Sequence, residues 1–265
     1  MDLKETKIGY FMAVSDVISL LNLSFGFLSI LMAINGQIAI SAIFIIIALV
    51  FDSIDGWVAR KLSRIDEYGF GKNIDSLSDV VSFGVAPGIL LYCIGTSTIQ
   101  NSLINHYYFG LSQFTQFINL IGLNYLLAIV ALFIVICGVL RLTRYNAIVD
   151  NLNFKGFIGV PIPATGVLLS SFVLSGFFNL YIAMILMVIM GLLMISNIKY
   201  SKLDNPKYLG IFAIFLILIL IPYPIVFWGI DIPASVVFVL TLIYVLIGLF
   251  KGLLFSKSDS IDFEL

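Results

Sequence analysis

The sequence predicts an all-α protein that crosses a membrane several times. Of its 265 residues, 61% are hydrophobic and only 11% are charged, whereas a typical soluble domain is about 25% charged. The mean hydropathy of +1.12 over the whole length is too high for a globular enzyme with a single anchor. Apolar runs separated by short polar segments recur along the chain, and at the usual length they predict about eight transmembrane helices.

The predicted elements follow from the order of apolar and polar segments. Residues 4–15 mix charged and apolar side chains, which predicts a short amphipathic segment on the membrane surface. Residues 35–37 form a tight turn, and polar loops are expected at about 61–73 and 96–119. The second span is expected to continue as a helix to Arg60. The predicted spans cover about residues 17–34, 38–51, 75–94, 121–142, 164–177, 180–195, 209–221 and 233–249.

The distribution of basic residues predicts the orientation of the chain. On this topology all fourteen Lys and Arg residues lie on one side of the membrane or at the helix ends on that side. Because Lys and Arg mark the cytoplasmic side, we expect a multi-pass protein of the cell membrane with both termini in the cytoplasm. The basic side comprises both termini and the loops 61–74, 145–159 and 196–208, and the opposite loops 35–37, 96–119, 177–180 and 222–233 contain no Lys or Arg.

Several classes of site are disfavoured by residue type. Cys93 and Cys137 both lie in apolar runs and suggest neither a disulfide framework nor a metal site. The single histidine, His106, lies in a predicted outer loop near Tyr107 and Tyr108, where an interfacial aromatic belt is the simpler interpretation. The sequence therefore argues against histidine-based catalysis.

Four aspartates are concentrated where two predicted spans approach the same loop. Asp52 and Asp55 are three residues apart, and Asp75 and Asp79 are four apart, the spacings that place side chains on one face of a helix. Ionisable residues in membrane helices are costly and mark functional sites. Because four neighbouring carboxylates repel one another, the group predicts a site for one or two divalent cations, Mg²⁺ or Mn²⁺.

The surroundings of the aspartates suggest a diphosphate ligand. Gly56, Ala59 and Gly71 are small residues that leave room against a helix backbone, and Arg60 is a cation suited to phosphate. Acidic residues at a helix end can also be merely interfacial, but two pairs at helical spacing around one loop favour a site. Asp66 and Glu67, which lie within that loop, are expected to be solvated.

The order of these residues resembles the signature of the CDP-alcohol phosphatidyltransferase family. The interval between Arg60 and Gly71 is slightly longer here than is usual in the family, while the spacing after Gly71 is intact. The matching positions are Asp52-x-x-Asp55-Gly56-x-x-Ala59-Arg60, followed by Gly71-x-x-x-Asp75-x-x-x-Asp79.

Three flanking segments are similar to the phosphatidylserine synthase and archaetidylserine synthase branch of that family. The resemblance covers roughly the first 200 residues of the chain. The segments are Asp75-Ser-Leu-Ser-Asp79-Val-Val-Ser-Phe-Gly84-Val-Ala-Pro87, Gly138-Val-Leu-Arg141-Leu-Thr-Arg144-Tyr145-Asn146 and Gly159-Val-Pro161-Ile-Pro163-Ala164.

The resemblance implies a transferase of phospholipid biosynthesis. It would join L-serine to CDP-diacylglycerol or CDP-archaeol, release CMP and use Mn²⁺ or Mg²⁺, with two ions expected. The implied fold is a six-helix core that dimerises in the membrane, with a C-terminal transmembrane hairpin appended, and no nucleic acid among its partners. The chain would divide into an interfacial segment at 1–16, the catalytic membrane domain at 17–200, and the hairpin with a cytoplasmic tail at 201–265.

The resemblance also assigns roles to individual residues. Asp79 would be the general base, a metal ligand or both. Lys72, beside Gly71, could contact phosphate, although a loop lysine is more often solvated. The implied metal ligands are Asp52, Asp55, Asp75 and Asp79, and the implied CDP-lipid pocket comprises Gly56, Ala59, Arg60, Gly71 and Lys72.

A second group of polar residues ends the fourth predicted span on the same side of the membrane. We expect Arg141 or Arg144, with Tyr145 and Asn146, to bind the serine carboxylate or a phosphate, although both arginines could instead be anchors at the membrane surface. Asn22, in the first span, could face the site or make a helix–helix hydrogen bond.

Two other functions compete with serine transfer. The same chemistry could use glycerol phosphate or inositol phosphate, but a phosphorylated acceptor should need a further basic cluster, and few basic residues adjoin the site. An ion-coupled transporter would place its acids or broken helices near the middle of the bilayer. The four aspartates are instead predicted at the cytoplasmic ends of their spans, which favours the enzyme.

Overall fold

The computed structural model describes residues 7–62, 69–107, 113–148, 156–201, 206–221 and 226–255. This part of the chain is predominantly helical, as predicted, with two pairs of very short antiparallel strands. The helices are α1 (Ile8–Phe11), α2 (Val14–Ile34), α3 (Ile38–Lys61), α4 (Phe70–Asp79), α5 (Ala86–Tyr107), α6 (Gln113–Ile148), α7 (Ile162–Leu174), α8 (Leu180–Ile195), α9 (Pro206–Ile219) and α10 (Ile232–Phe255). The strands are β1 (Gly156–Ile158), β2 (Lys199–Ser201), β3 (Val226–Phe227) and β4 (Ile230–Asp231).

Five helical stretches are long and apolar enough to cross a membrane. Three shorter apolar helices, which include α7 and α8, correspond to the other predicted spans. The predicted multi-pass class is confirmed, whereas the number of eight spans stays a prediction because these three helices are shorter than a bilayer normally requires. The five long stretches are Val14–Ile34, Ile38–Lys61, Phe70–Thr98, Gly122–Ile148 and Ile232–Gly252.

Two predicted loops are partly helical. The third span begins at Phe70 rather than Asp75, so Gly71 and Lys72 belong to the first turn of α4 and not to a loop. The predicted loop 96–119 was also wrong, because α5 continues to Tyr107 and α6 begins at Gln113. The hydroxyls of Thr96, Ser97 and Thr98 donate to carbonyls one turn earlier, which keeps these polar residues in the helix. Asp66 and Glu67 lie outside the described residues.

A π-helical segment, Val80–Val85, joins α4 to α5 without a break in the chain direction. Helix α2 packs against α3, α4 and this segment. At the closest point, Gly26 of α2 faces Ser82, and a side chain at Gly26 would collide with the Ser82 side chain and backbone. The hydroxyl of Ser82 donates to the Asn22 carbonyl at 3.0 Å, so α2 and the π-helical segment are held in a fixed register.

The strands β1 and β2 lie between helices and pair antiparallel. Phe157 of β1 is opposite Tyr200 of β2. Gly159 follows β1 with φ of +75°, a conformation that glycine adopts without strain, and α7 then begins after Pro161. The pair of strands therefore joins the chain after α6 to the chain after α8, close to the ends of both helices.

Candidate functional site

Three of the four predicted aspartates converge between α3 and α4. One carboxylate oxygen each from Asp52, Asp55 and Asp75 lies within 4.8 Å of the others. Asp52 and Asp55 are on adjacent turns of one face of α3, and Asp75 projects from α4. The helix periodicity of the sequence and the packing of these helices around α2 together produce the cluster.

The cluster fits a hard divalent cation. Carboxylate oxygens are the ligands that Mg²⁺ and Mn²⁺ prefer, and the three aspartates offer one such oxygen each in a single group that could hold an ion. Asp55 is buried and the other two aspartates are half-buried. Because like charges in a poorly solvated site repel strongly, a cation is the simplest means of stabilising three ionised carboxylates here.

Asp79 lies beside this trio rather than within it. Its carboxyl group adjoins that of Asp52 and interacts with it electrostatically, and its Oδ1 accepts a hydrogen bond from Asn22 Nδ2 at 3.2 Å. Asp79 is 6% exposed. The structure therefore brings all four aspartates together, with Asp79 beside the three that surround the candidate metal position.

Helix α2 supplies a second layer of contacts to the aspartates. The hydroxyl of Ser19 donates to Asp55 Oδ2 at 2.6 Å, and Asn22 holds Asp79 as described. Asn22 thus both faces the site and makes a helix–helix hydrogen bond, the two alternatives that the sequence left open. Ser19 was missed; its signal is the three-residue interval to Asn22, which places both side chains on one face of α2.

The small residues and Arg60 line the exposed side of α3. The Arg60 guanidinium lies over Gly56, where an added Cβ would be 3.3 Å from its Nη1. Arg60 also interacts electrostatically with Asp55. Gly56 and Ala59 are half-buried and Arg60 is exposed, so the guanidinium stands next to the acidic cluster while it remains accessible to a phosphate.

The first turn of α4 contacts the end of α6. Lys72 Nζ donates to the Asn146 carbonyl at 2.9 Å, and Asn146 Nδ2 donates to Ser76 Oγ at 2.7 Å. Gly71 is half-buried in the same turn. These bonds hold α4 beside α6, and they give Lys72 and Asn146 structural contacts in addition to any that they make with a ligand.

Arg141 is the buried cation nearest the aspartates in the described part of the chain. It is 4% exposed, interacts electrostatically with Asp52, Asp75 and Asp79, and its Nε has no hydrogen-bond partner among the described residues. The guanidinium carbon is 5.3 Å from the Tyr145 ring centroid and 5.5 Å from that of Phe157. Aromatic rings therefore orient the guanidinium while one of its donors remains unused.

Arg144 has different surroundings. Its guanidinium donates to four backbone carbonyls and to one side-chain amide oxygen. Together these bonds occupy both terminal nitrogens and tie α6 to the chain around β1 and β2. This pattern favours a structural contribution by Arg144 and leaves Arg141 as the better placed of the two predicted ligand-binding arginines. The acceptors are the carbonyls of Ile158, Met194, Ile195 and Ser196, and Oδ1 of Asn197.

Similarity to known proteins agrees with this geometry. The sequence model of the CDP-alcohol phosphatidyltransferase family matches residues 12–196. The chain is 41% identical over 203 residues to an archaetidylserine synthase from Methanothermobacter thermautotrophicus, which covers 77% of this chain and 76% of the relative. It is 37% identical over 239 residues to a CDP-diacylglycerol–serine O-phosphatidyltransferase from Methanocaldococcus jannaschii. This alignment covers 90% of this chain and 93% of the relative.

A bacterial relative extends the comparison beyond archaea. A CDP-diacylglycerol–serine O-phosphatidyltransferase from Bacillus subtilis is 30% identical over 184 residues, which covers 69% of this chain and 87% of the relative. The matched region of the family model contains every aspartate of the cluster together with Gly56, Arg60 and Arg141. The chain therefore belongs to the CDP-alcohol phosphatidyltransferase family, whose members use a divalent metal.

Proposed function

We propose that the protein transfers the phosphatidyl or archaetidyl group of a CDP-activated lipid to the hydroxyl of L-serine and releases CMP. The observation that carries the proposal is the convergence of Asp52, Asp55 and Asp75 in a chain whose relatives over most of its length are named for serine transfer. It would act in phospholipid biosynthesis in the cell membrane, with the site and both termini facing the cytoplasm.

The aspartate trio would hold the metal, with two ions as the expected number. When bound, the metal supplies charge neutralisation for the diphosphate and for the phosphate that leaves with CMP. Arg60 would contact the diphosphate from the exposed side of α3, and the small residues Gly56, Ala59 and Gly71 would leave space for the cytidine and diphosphate. Lys72 would support the same pocket from α4.

Asp79 would act as the general base. The serine hydroxyl oxygen attacks the phosphorus attached to the lipid, its proton passes to Asp79, and the bond from that phosphorus to the CMP oxygen breaks. Proton transfer requires hydrogen-bond reach in the bound complex. The support for this role is that Asp79 adjoins the metal trio without belonging to it and is oriented by Asn22.

Arg141 would bind the carboxylate of serine. Its buried guanidinium has an unused donor at Nε, and it adjoins Asp79 electrostatically, so an amino acid held by Arg141 would have its hydroxyl on the side of the proposed base. Tyr145 would contribute the ring that orients Arg141, and Asn146 would position α4 against α6.

The direct test uses the purified protein in detergent or lipid nanodiscs. The protein is supplied with CDP-diacylglycerol or CDP-archaeol, Mn²⁺ or Mg²⁺, and labelled serine, glycerol phosphate or inositol phosphate. We expect metal-dependent CMP release with serine, and none with Asp75→Asn, in which a metal ligand is lost. No CMP release with any acceptor would refute the proposed enzyme activity, and release with another alcohol but not serine would refute the acceptor assignment. The two lipids reveal whether ester- or ether-linked chains are preferred.

We also propose that two copies of the chain associate in the membrane, as the family resemblance implies. The division into residues 1–16, 17–200 and 201–265 remains part of the same proposal. Crosslinking in native membranes followed by mass determination tests the dimer, and a protein that remains monomeric in membranes while it is active would contradict it.

A further inference from the structure

Arg141 is connected to the C-terminal part of the chain through a row of aromatic side chains. Its guanidinium packs against the rings of Tyr145 and Phe157. Phe157 is paired with Tyr200 across the β1–β2 strands. Tyr200 in turn packs against Tyr244 of α10, with ring centroids 6.0 Å apart, and Tyr244 interacts electrostatically with Arg141. The guanidinium is therefore flanked by the rings of Tyr145 and Phe157, and Tyr200 of β2 connects Phe157 to Tyr244 of α10.

The hydroxyl of Tyr200, in this row of aromatic residues, is an unused donor among the described residues. Tyr200 is 0% exposed, and its Oη has no hydrogen-bond partner among the described residues. Burial raises the pKa of Tyr200 to about 12, with a smaller contribution from Tyr244, so the phenol stays protonated and able to donate at neutral pH. A buried hydroxyl without a partner is destabilising, and a phenylalanine in the same place would avoid this penalty.

Helix α10 is fitted closely to this tyrosine. The Tyr200 ring lies against Gly248, where any side chain would overlap it. Gly248 is one helical turn from Tyr244, so the two positions share a face of α10. Both tyrosines lie outside residues 12–196, the part matched by the family model. The C-terminal helix is thus packed onto β2 by specific contacts.

We propose that Tyr200 and Tyr244 complete the acceptor pocket with Arg141 and donate hydrogen bonds to the carboxylate of the amino-acid acceptor. The inference rests on the proposed serine transfer and gives the C-terminal helix a function: it determines which alcohol is accepted. The unpartnered atoms Arg141 Nε and Tyr200 Oη are the donors that a bound carboxylate would satisfy.

The charge of the pocket favours a carboxylate over a phosphate. Arg141 contributes one positive charge, which balances one carboxylate, whereas a phosphate dianion would retain an uncompensated charge at a large cost. The neighbouring cations have other partners, because Arg144 donates to carbonyls around β1 and β2 and Lys72 donates to the Asn146 carbonyl. Two phenols add donors without charge, which suits an amino acid.

Steady-state kinetics of Tyr200→Phe and Tyr244→Phe test the proposal. Each change removes one donor to a charged group, so we expect the KM for serine to rise about tenfold in each variant, with the KM for the CDP-lipid unchanged. Ethanolamine, an alcohol without a carboxylate, provides the second readout. The preference for serine over ethanolamine in kcat/KM should fall by about the same factor, since only serine uses the lost bond.

Thermal unfolding and a matched variant separate ligand binding from folding. Because the Tyr200 hydroxyl has no partner in the described part of the chain, Tyr200→Phe should leave the unfolding temperature unchanged or raise it, so weaker serine binding could not come from a damaged fold. Tyr181→Phe, at a 63% exposed tyrosine of α8, should change neither property. An active enzyme in which both pocket variants keep the wild-type KM for serine overturns the inference alone, whereas a wild-type protein inactive with serine overturns the proposed function.

Discussion

The carboxylates of the site are oriented by side chains that bear no charge. Ser19 and Asn22, on one face of α2, each donate a hydrogen bond to an aspartate on a different helix, Asp55 and Asp79. A carboxylate that accepts a bond from a fixed donor has fewer rotamers available, and second-layer partners of this kind commonly change metal affinity or activity by about 10- to 100-fold. Helix α2, which carries none of the four aspartates, therefore controls the geometry of two of them.

Asn22 gives the sharper prediction because its partner is the proposed base. Replacement by leucine, which is similar in size and donates no hydrogen bond, should lower kcat by about 10- to 100-fold, while the KM for CDP-lipid and the affinity for Mn²⁺ remain near wild type. Stopped-time CMP assays give kcat, and electron paramagnetic resonance titration gives Mn²⁺ binding. Asn22→Gln, which retains the amide, should recover part of the activity.

A control on the same helix distinguishes positioning from a general loss of packing. Ser29 of α2 makes buried hydrogen bonds to the carbonyl and hydroxyl of Ser41 on α3, two helical turns from Asn22. Ser29→Ala therefore removes a comparable helix–helix contact away from the aspartates and should spare kcat. Equal losses of kcat in Ser29→Ala and Asn22→Leu would contradict the positioning role of Asn22.

At the level of the elements, the π-helical segment depends on close contact with α2. Gly26 lies against Ser82 with no space for a side chain, and this contact fixes α2 beside the residues that follow Asp79. Gly26→Val should force the helices apart and lower the free energy of unfolding by about 1–3 kcal/mol, together with activity. Thermal or denaturant unfolding of the purified variant in detergent measures the change.

Gly122 of α6 is the matched control for that substitution. It lies in a helix, and a Cβ added there has no neighbour within 4 Å in the described structure. Gly122→Ala should therefore be neutral or stabilising, because alanine favours the helix over glycine by about 1 kcal/mol. If Gly26→Val were as stable as wild type, the close register of α2 and the π-helical segment would not be needed for the fold.

Arg144 should act through stability. Arg144→Met keeps much of the apolar stem but leaves carbonyls at Ile158 and Met194 without a donor, so we expect a loss of about 2 kcal/mol or more and a lower unfolding temperature. The KM for serine of the folded fraction should change little. In Arg141→Met, by contrast, the KM for serine should rise while the unfolding temperature changes little. A large rise in the KM for serine with unchanged stability in Arg144→Met would instead support the direct binding role predicted from the sequence.

The helical spacing of the aspartates was enough to predict that Asp52 and Asp55 share one face of a helix, because a three-residue interval acts within a single helix. The approach of Asp75 to this pair depends on the packing of α3 and α4 against α2. The partners of Arg144 could not be predicted in this way. They lie 14 to 53 residues away along the chain and meet only when α6, α8 and the two strands pack together. Likewise, the polar residues Thr96 and Ser97 suggested a loop, but their hydroxyls bond within α5, and the π-helical segment after Asp79 has no simple sequence signal.

Over the whole molecule, the C-terminal helix is part of the same packed body as the catalytic helices. Its residue Val237 is fully buried, and Phe238 stacks on Phe172 of α7 with ring centroids 4.8 Å apart. The sequence predicted α10 only as an apolar span. The contacts of Tyr200 with Tyr244 and Gly248 join segments far apart in the chain, so no local sequence pattern indicates them. The fold class was thus predictable from composition, while the contacts of α10 with α7 and β2 required the packed structure.

The orientation in the membrane is a prediction that single cysteines can test. Helix α3 has 24 residues, about 36 Å at 1.5 Å per residue, enough to separate its two ends by a bilayer. Gln37, exposed just before α3, and Trp228, 90% exposed between β3 and β4, belong to the predicted outer side, whereas Leu62, 59% exposed just after α3, belongs to the cytoplasmic side. Cysteines at these positions should therefore differ in their access to reagents outside the cell.

In intact cells, a membrane-impermeant maleimide should label Gln37→Cys and Trp228→Cys but not Leu62→Cys, which should react only after the membrane is permeabilised. The unaltered chain is the control, because Cys137 is buried and Cys93 is half-buried. Since Lys and Arg are retained on the cytoplasmic side, this orientation would give the aspartate cluster, near the Leu62 end of α3, direct access to cytoplasmic serine. Labelling of Leu62→Cys in intact cells would show that the assigned orientation is reversed. Labelling of Gln37→Cys but not of Trp228→Cys would show that the number of spans between these two positions differs from the predicted number.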